Sequence, residues 1–204
     1  MPYRIGATLA AATLLIAGCS DPKEASKGNF KAALQGWFDE HGECVNIGRM
    51  PAELRADASQ KDRAGYDALT QAGLLSAENR RVERPAIMGT DMSYDATIYH
   101  PTESGQKVIR KSGNRLLGGY DLCFARRNVV EVTSYTEPAD MMGLRASQVR
   151  YRYRLEDIAP WAQSAALRSA LPRLASALDK PEGEDKAALI LTSEGWQHER
   201  YLQK

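Results

Sequence analysis

The feature that most constrains the fold of this chain is a series of central segments in which apolar and polar residues alternate. Such alternation, with β-branched and aromatic residues, is typical of strands that turn one face to a core. One run extends from 120 to 125, the next from 129 to 135, and the last from 149 to 155. With a turn near Asn128 and a breaker-rich link around Pro138 and Gly143, the pattern predicts an antiparallel meander.

The C-terminal third predicts a helical cover for this sheet and one more hairpin. Pro160 stands at the first turn of a helix, and Pro172 is expected to kink that helix or split it in two. A charged loop is expected over 179–186. The runs 188–192 and 196–202, joined by a turn, predict a hairpin that extends the same sheet. The helical region carries an apolar stripe: Leu167, Leu171, Leu174 and Leu178.

The N-terminal half is mainly helical in pattern. Apolar residues from Phe30 to Phe38 recur at helical spacing, and Gly42 ends that helix. A second helical zone is expected from Pro51 to Glu53 and again after Ser59, followed by a basic connector over 80–84 and a strand at 94–100. The order of a helix, Gly73-Leu74-Leu75, a strand and Pro101-Thr102-Glu103-Ser104-Gly105 over about 52–112 resembles the winged-helix half of bacterial regulators. The predicted class is therefore α+β, with N-terminal helices packed with a C-terminal antiparallel sheet and its covering helix.

The chain begins with a short apolar run that stops at a cysteine. Residues 1–18 hold one charged side chain, Arg4, then an apolar stretch and the small pair Ala17-Gly18, as in a secretory signal peptide. The apolar stretch is shorter than the roughly 20 residues that span a bilayer. Ile16-Ala17-Gly18-Cys19 resembles the lipobox of bacterial lipoproteins, of a small envelope type. An ordinary secreted protein cleaved near the same place is the alternative.

The lipoprotein resemblance implies a division of the chain. Residues 1–18 would be removed, Cys19 would carry a diacylglycerol and an acylated amino group, and 19–28 would form a lipidated tether. Residues 29–204 would then be a single periplasmic α+β domain, with a sub-boundary near 112–118. Ser20 after the cysteine resembles the class destined for the outer membrane, and Asp21 keeps the inner membrane as the alternative.

Two cysteines remain once Cys19 is assigned to lipid. In an oxidising compartment, Cys44 and Cys123 are expected to pair. The bridge would close a loop of about 80 residues, worth about 4 kcal/mol in the chain-entropy model. Two buried free thiols, or one reactive thiol, are the alternative.

Charge excludes one class of partner. The chain has 27 basic and 26 acidic residues, and losing Arg4 with the signal peptide makes them equal. A neutral domain has no strong general attraction to nucleic acid. A winged-helix pattern outside the cytoplasm would accordingly serve as a protein-binding or spacer module.

Residue types that carry chemistry are present without a recognisable motif. The stretch 39–44 is rich in metal-ligand types, but its acidic residues face water on a helix and it lacks the ligand spacing of a zinc site. His100 and His198 lie in no nucleophile motif, and Ser193 is a turn residue. We therefore expect no catalytic residue, metal or cofactor. A hydrolase built from scattered residues remains the alternative, to be favoured if a pocket joins His100 or His198 to a serine or carboxylate.

Three arginines form a second candidate site. Arg150, Arg152 and Arg154 fall on one face of a strand, where they could grip carboxylates or phosphates bidentately. A solvated face paired with acidic residues such as Glu131 explains the same pattern and is favoured. A concave face without acidic partners would instead favour an anionic cell-wall ligand, such as a peptidoglycan fragment.

The sequence thus predicts a non-enzymatic lipoprotein, held to the bilayer through Cys19 on the periplasmic side of the outer membrane. Its expected partner is another envelope component, most simply a protein.

Overall fold

A computed structural model describes residues 21–85, 88, 90–113, 118–141 and 143–202. The proposed signal peptide and the proposed lipidation site Cys19 lie outside the described residues. The fold is α+β, as the sequence predicts. Its helices are α1 Lys27–Glu40, α2 Gln60–Gln71, α3 Glu103–Val108, α4 Ala165–Ala170 and α5 Pro172–Asp179. Its strands are β1 Glu43–Gly48, β2 Ala52–Arg55, β3 Leu75–Val82, β4 Tyr94–Pro101, β5 Ile109–Lys111, β6 Tyr120–Tyr135, β7 Ala139–Met141, β8 Leu144–Glu156, β9 Glu182–Thr192 and β10 Gly195–His198.

The larger sheet is antiparallel, in the order β1-β6-β8-β9-β10, with β5 beside β6 and β7 beside β8. The turn expected at Asn128 is wrong, because β6 is one continuous strand of 16 residues. Its first half pairs with β1 and β5, and its second half pairs with β8. Asn128 stays in the strand, where its side-chain amide donates to the Glu156 carboxylate at 2.7 Å.

The charged loop expected at 179–186 is also shorter than predicted, because β9 begins at Glu182. Its charged residues lie beside the arginines of β8: Arg154 pairs with Glu182 and Arg152 with Glu184 in the strand register. The inward positions of this part of β9 hold Gly183, which packs on Tyr153, and Asp185, which pairs with Arg127. Because neither residue is apolar, the sequence shows no alternation here and indicates a loop.

The smaller sheet has three antiparallel strands in the order β2-β4-β3. Two expectations fail here: Ala52–Arg55 is a strand and not a helix, and residues 80–82 of the basic connector belong to β3. All six inner residues of β3 are exposed, so the strand has no buried face to produce alternation. Helix α2 does begin after Ser59, whose hydroxyl accepts from the Asp62 N–H. A helix followed by the β3–β4 hairpin is the part of the winged-helix resemblance that the structure contains.

Two large hydrophobic cores divide the molecule, and a small third cluster on the smaller sheet contains Val82, Ala96 and Ile98. The α1 core packs α1 against the second half of β6 and against β8, β9 and β10; its centre includes Phe30, Leu34, Val149, Leu189 and Trp196. The disulfide-side core joins the first half of β6 to the smaller sheet, α2, α4 and α5, and includes Leu69, Tyr99, Leu122, Phe124, Leu155, Leu167 and Leu174. This second core draws residues from both sides of the sub-boundary suggested near 112–118.

The C-terminal cover forms as predicted, in two helices separated at Pro172. Leu167 on α4 and Leu174 on α5 are fully buried in the disulfide-side core. A short 3-10 helix, Pro160–Gln163, precedes them. Helices α2 and α4 contact each other, so this cover holds the smaller sheet to the larger one.

The disulfide joins two paired strands. Cys44 on β1 lies directly opposite Cys123 on β6, and their sulfurs are bonded. The pairing predicted from the cysteine count is thereby confirmed. The bond fixes β1 against the first half of β6.

The segment expected to be a flexible tether packs on the domain from Asp21 onward. The indole N–H of Trp196 donates to the Lys23 carbonyl at 3.1 Å and to the Glu24 carbonyl at 3.2 Å. The hydroxyl of Tyr135 donates to the Ala25 carbonyl at 3.2 Å. Ser26 then caps α1, which begins at Lys27. Polar composition suggested a tether, but the backbone carbonyls of this segment satisfy buried aromatic donors.

Candidate functional site

The outer edge of β3 is the best candidate for a binding site. β3 pairs with β4 on one side only. The Thr102 N–H donates to the Leu74 carbonyl at 3.0 Å, which makes 74 and 102 a hydrogen-bonded pair. Because such pairs recur every two residues in an antiparallel ladder, Ser76, Glu78 and Arg80 bond to β4. The backbone groups of Ala77, Asn79 and Arg81 therefore point away from the sheet.

These outward groups have no backbone partner elsewhere in the described part of the chain. A row of unpaired N–H and C=O groups is a template on which another chain can add a strand. The edge is exposed along Ser76–Arg81 and is neither bulged nor interrupted by proline. It can therefore accept an extended segment.

The Arg80–Arg81 end of the same edge is basic, and Glu78 is the exposed acidic residue of the strand. An open depression of about 570 Å³ beside it is lined by Arg63, Asn79, Arg80, Arg81, Asp95 and Thr97, among others. Arg81 lies 3.2 Å from Asp91 and 3.7 Å from Asp95, so its charge is matched. Arg80 has no ion pair with any described residue. Uncompensated arginine at the rim gives the edge a preference for acidic segments.

Arg63 adds a second cation without a carboxylate partner among the described residues. It projects from α2, and its guanidinium donates to the Arg55 and Ala56 carbonyls at 2.8 and 2.7 Å. Another of its nitrogens lies 3.4 Å from the Thr97 hydroxyl. These bonds fix the side chain at the depression, with its positive charge unneutralised.

The three arginines of β8 do not form a comparable site. Arg152 lies 2.8 Å from Glu131, the partner named from the sequence, and Arg154 lies 3.8 Å from Glu182. Only Arg150 has no acidic partner in the part of the chain that the structure describes. Because two of the three arginines are paired with acidic residues, the β8 face fits a solvated surface better than a site for an anionic ligand.

The two candidate histidines, His100 and His198, differ in their surroundings. His198 is 4% exposed, and its Nδ1 accepts from the Arg200 N–H at 3.2 Å. Burial, with the nearby charges of Arg200 and His41, lowers the pKa of His198 to about 4. The His100 side chain has no hydrogen bond to a described residue. Ser76 lies opposite His100, but its hydroxyl donates to the His100 backbone carbonyl at 3.4 Å and not to the ring. Neither imidazole forms a hydrogen bond with a serine hydroxyl or a carboxylate within the described ranges, which was the condition for the hydrolase.

The residues of the 39–44 stretch are engaged separately. Asp39 accepts from Gln35 at 2.8 Å and lies 3.4 Å from Arg126. Burial and the neighbouring Glu40 raise the pKa of Tyr201 to about 12. His41 stacks on Trp37 with ring centroids 3.5 Å apart. Glu43 pairs with Arg127 at 2.8 Å, and Cys44 is in the disulfide. Among the residues that the structure describes, no group of three or more metal-ligand types converges.

Arg127 is a structural centre that sequence reasoning missed. Its guanidinium lies 2.8 Å from both Glu43 and Asp185, and 3.9 Å from the centre of the Tyr153 ring. Burial acts to lower the pKa of Arg127, but the charge of Glu43 and the other partners raise it overall. The side chain sits where β6 passes from one core to the other. A polar Arg-Arg-Asn run at this position suggested a turn, and no local signal indicated a buried ion pair.

The free edge of β3 was missed as well. The arginines at 80 and 81 were noted, but a strand exposed on both faces resembles a connector in sequence. Only the register with β4 shows which backbone groups remain unpaired.

None of the helices in the described part of the chain is long and apolar enough to cross a membrane. Comparison of the chain with models of protein families, with curated proteins and with solved structures gives no match.

Proposed function

We propose that this protein is a lipid-anchored, non-enzymatic envelope protein that binds a protein partner by adding an extended, acidic segment of that partner to the edge of β3. The observation that carries the proposal is the exposed row of unpaired backbone groups on Ala77, Asn79 and Arg81, beside the uncompensated Arg80. Main-chain hydrogen bonds would supply affinity, and the arginines would select the partner by charge.

The uncompensated cations beside the edge favour an acidic segment as the added strand. Such a segment would place carboxylates near Arg80 and Arg63. Arginine binds carboxylates with two parallel hydrogen bonds, which adds geometric selectivity.

The periplasmic location is supported by two features. The lipobox resemblance at 16–19 implies acylation of Cys19 and an outer-membrane location, with the inner membrane as the alternative. The Cys44–Cys123 disulfide is typical of proteins outside the reducing cytoplasm. Mass spectrometry of protein extracted from membranes tests the anchor. Acylated Cys19 is expected, and an unmodified mature N-terminus elsewhere would reject it.

Crosslinking in living cells tests the binding edge. A photoreactive amino acid at Ala77 should trap one envelope protein, and the crosslinked position in that protein should lie in an acidic, extended segment. The same reagent at Lys186, exposed on the larger sheet, is the control and should not trap it.

A proline variant makes the test specific for backbone pairing. Ala77→Pro removes an outward N–H and leaves the β3–β4 ladder intact, because edge strands accept proline at such positions. With Ala77→Pro in the chain and the photoreactive residue moved to Asn79, the adduct should be lost. Arg80→Glu should weaken it, and Lys61→Glu on exposed α2 should not. An adduct that survives Ala77→Pro would reject strand addition as the mode of binding.

A further inference from the structure

The chain leaves the domain toward Cys19 at one end of the larger sheet. Pro22 packs on Gly195: a Cβ atom built at Gly195 would lie 3.0 Å from the Pro22 carbonyl oxygen. The indole of Trp196 holds the next two carbonyls. Asp21 is only two residues from Cys19, a reach of about 7 Å in an extended chain. Acyl chains on Cys19 would therefore be held close to this end of the sheet.

Two hairpin turns lie at the same end. Thr192 pairs with Gly195 across the β9–β10 turn, and Met141 pairs with Leu144 across the β7–β8 turn. In the antiparallel β8–β9 pair, Ala146 lies opposite Ile190. Continuing this register by two residues places Leu144 of β8 opposite Thr192 of β9. Neighbouring strands are about 4.8 Å apart. Met141 on β7 is three strand spacings, about 15 Å, from the Gly195 position where the N-terminal segment packs.

This β7–β8 tip is apolar and exposed. Met141 is 64% exposed and Leu144 is 45% exposed, in a molecule whose other strands keep most large apolar side chains in the two cores. The surrounding charged residues are of both signs, with Asp140 and Arg145 on the hairpin and Lys23 and Glu194 beside the N-terminal segment. A mixed rim around an apolar tip suits the interface of a bilayer without requiring anionic lipid.

We propose that Met141 and Leu144 insert into the interface of the bilayer that holds the acylated Cys19, so that the domain stands on the membrane in one orientation. This inference rests on the proposed acylation of Cys19. Two or more acyl chains already hold a protein stably at a membrane. The tip would therefore add little to the membrane affinity and would mainly fix the orientation of the domain. A second membrane contact about 15 Å from the first restricts rotation of the domain about its anchor.

The orientation connects the two proposed sites. Along β8, Leu144 is at the membrane end, Val149 is in the α1 core, and Leu155 is in the disulfide-side core that supports the smaller sheet. Eleven residues of strand separate Leu144 from Leu155, roughly 35 Å. The β3 edge would thus face away from the membrane, toward partners in the periplasmic space.

The test places an environment-sensitive fluorophore at the tip of the acylated, full-length protein. The protein is purified from membranes, its Cys19 acylation is verified by mass spectrometry, and it is reconstituted into vesicles of phosphatidylethanolamine and phosphatidylglycerol. The label is carried by Leu144→Cys, with Ser76→Cys on the exposed β3 edge as the matched control. The Leu144→Cys label should shift its emission to the blue and be quenched by spin-labelled lipid, and the Ser76→Cys label should do neither.

The outcomes separate this inference from the proposed function. Acylated protein whose label at 144 behaves like that at 76 would overturn the membrane contact and leave the anchor in place. A blue shift without quenching by spin-labelled lipid would indicate a protein neighbour at the tip and would also overturn it. A Cys19 without acyl chains would overturn this inference together with the proposed lipid anchor, whereas strand addition at β3 is decided by the crosslinking experiment alone. Met141→Asp should reduce the shift of the 144 label, since a carboxylate resists insertion among apolar lipid groups.

Discussion

The second half of β6 and the outer side of β3 are both strand edges, but only the first is covered. Helix α1 lies along β6, where Gln35 accepts from the Val129 N–H at 2.8 Å and donates to the Arg127 carbonyl at 3.3 Å. Lys31 donates to the Val130 carbonyl at 2.9 Å. The Gln35 amide thus occupies the place of a neighbouring strand. No described side chain does this for β3, so the molecule satisfies one edge internally and leaves the other available.

The largest expected effect on stability comes from the disulfide next to the covered edge. It holds β1 against the first half of β6, and α1 covers the second half. Replacing Cys44 and Cys123 together by serine should lower the free energy of unfolding by about 4 kcal/mol, because the unfolded chain loses a crosslink across 79 residues. Urea unfolding of the oxidised protein and of the double variant measures this. A difference under about 1 kcal/mol would show that strand pairing alone fixes β1.

The next largest effect is the pH dependence of the contact between α1 and β10. The His198 ring lies 4.9 Å from the Trp37 ring, and burial is the main reason that its pKa falls from 6.5 to about 4. As the pH falls, His198 therefore takes up a proton at a higher pH in the unfolded chain than in the folded one. The neutral, buried His198 contributes fully to the free energy of unfolding above pH 6.5. That contribution falls as the pH drops toward 4 and is smaller by about 2 kcal/mol at pH 5.

Comparison with His198→Phe isolates that effect from the titration of carboxylates. The variant keeps an aromatic ring beside Trp37 and loses the titrating group. Its unfolding free energy should change less between pH 7 and pH 5 than that of the natural chain. Equal slopes would mean that His198 does not weaken the α1 contact in acid.

The amide bonds of Gln35 give a smaller effect. Gln35→Met keeps the length of the side chain but leaves the Val129 N–H and the Arg127 carbonyl without their partner, at a cost of about 1.5 kcal/mol. Lys31→Met is the matched control on the same face of α1, where an exposed lysine loses less. Thermal and urea unfolding measure both, and equal losses would argue against the amide as the covering group.

The open edge should give the smallest effect on stability. Ala77→Pro removes a hydrogen-bond donor that points to water, so the unfolding free energy should change by less than about 1 kcal/mol. Glu78→Pro, one residue along, removes a bond to β4 and should cost more. If both prolines were equally costly, the assignment of outward groups on β3 would be wrong.

These two edges also show what sequence patterns can and cannot predict. The apolar spacing from Phe30 to Phe38 predicted α1, the alternation on β8 predicted its buried and exposed faces, and the split at Pro172 was expected. Each of these signals is local, because burial on one face repeats with the period of the element. The cysteine count predicted the disulfide because few pairings were available.

The misses have a common physical cause. Strand β3 is exposed on both faces, β9 begins with charged residues, and the Arg126-Arg127-Asn128 run lies inside β6 because Arg127 finds Glu43 and Asp185 from distant parts of the chain. The docking of Asp21–Ser26 likewise depends on Trp196, at the other end of the sequence. Long-range pairing decided these segments, and no local pattern records it.

The uninterrupted length of β6 has a mechanical consequence. The strand passes through both cores over roughly 50 Å, and its partner β8 runs antiparallel beside its second half. If the acyl chains restrained one end while a partner pulled on β3 at the other, tension would run along these strands and shear their hydrogen bonds together rather than peel them apart one by one. The domain would then behave as a stiff tie between the membrane and its partner.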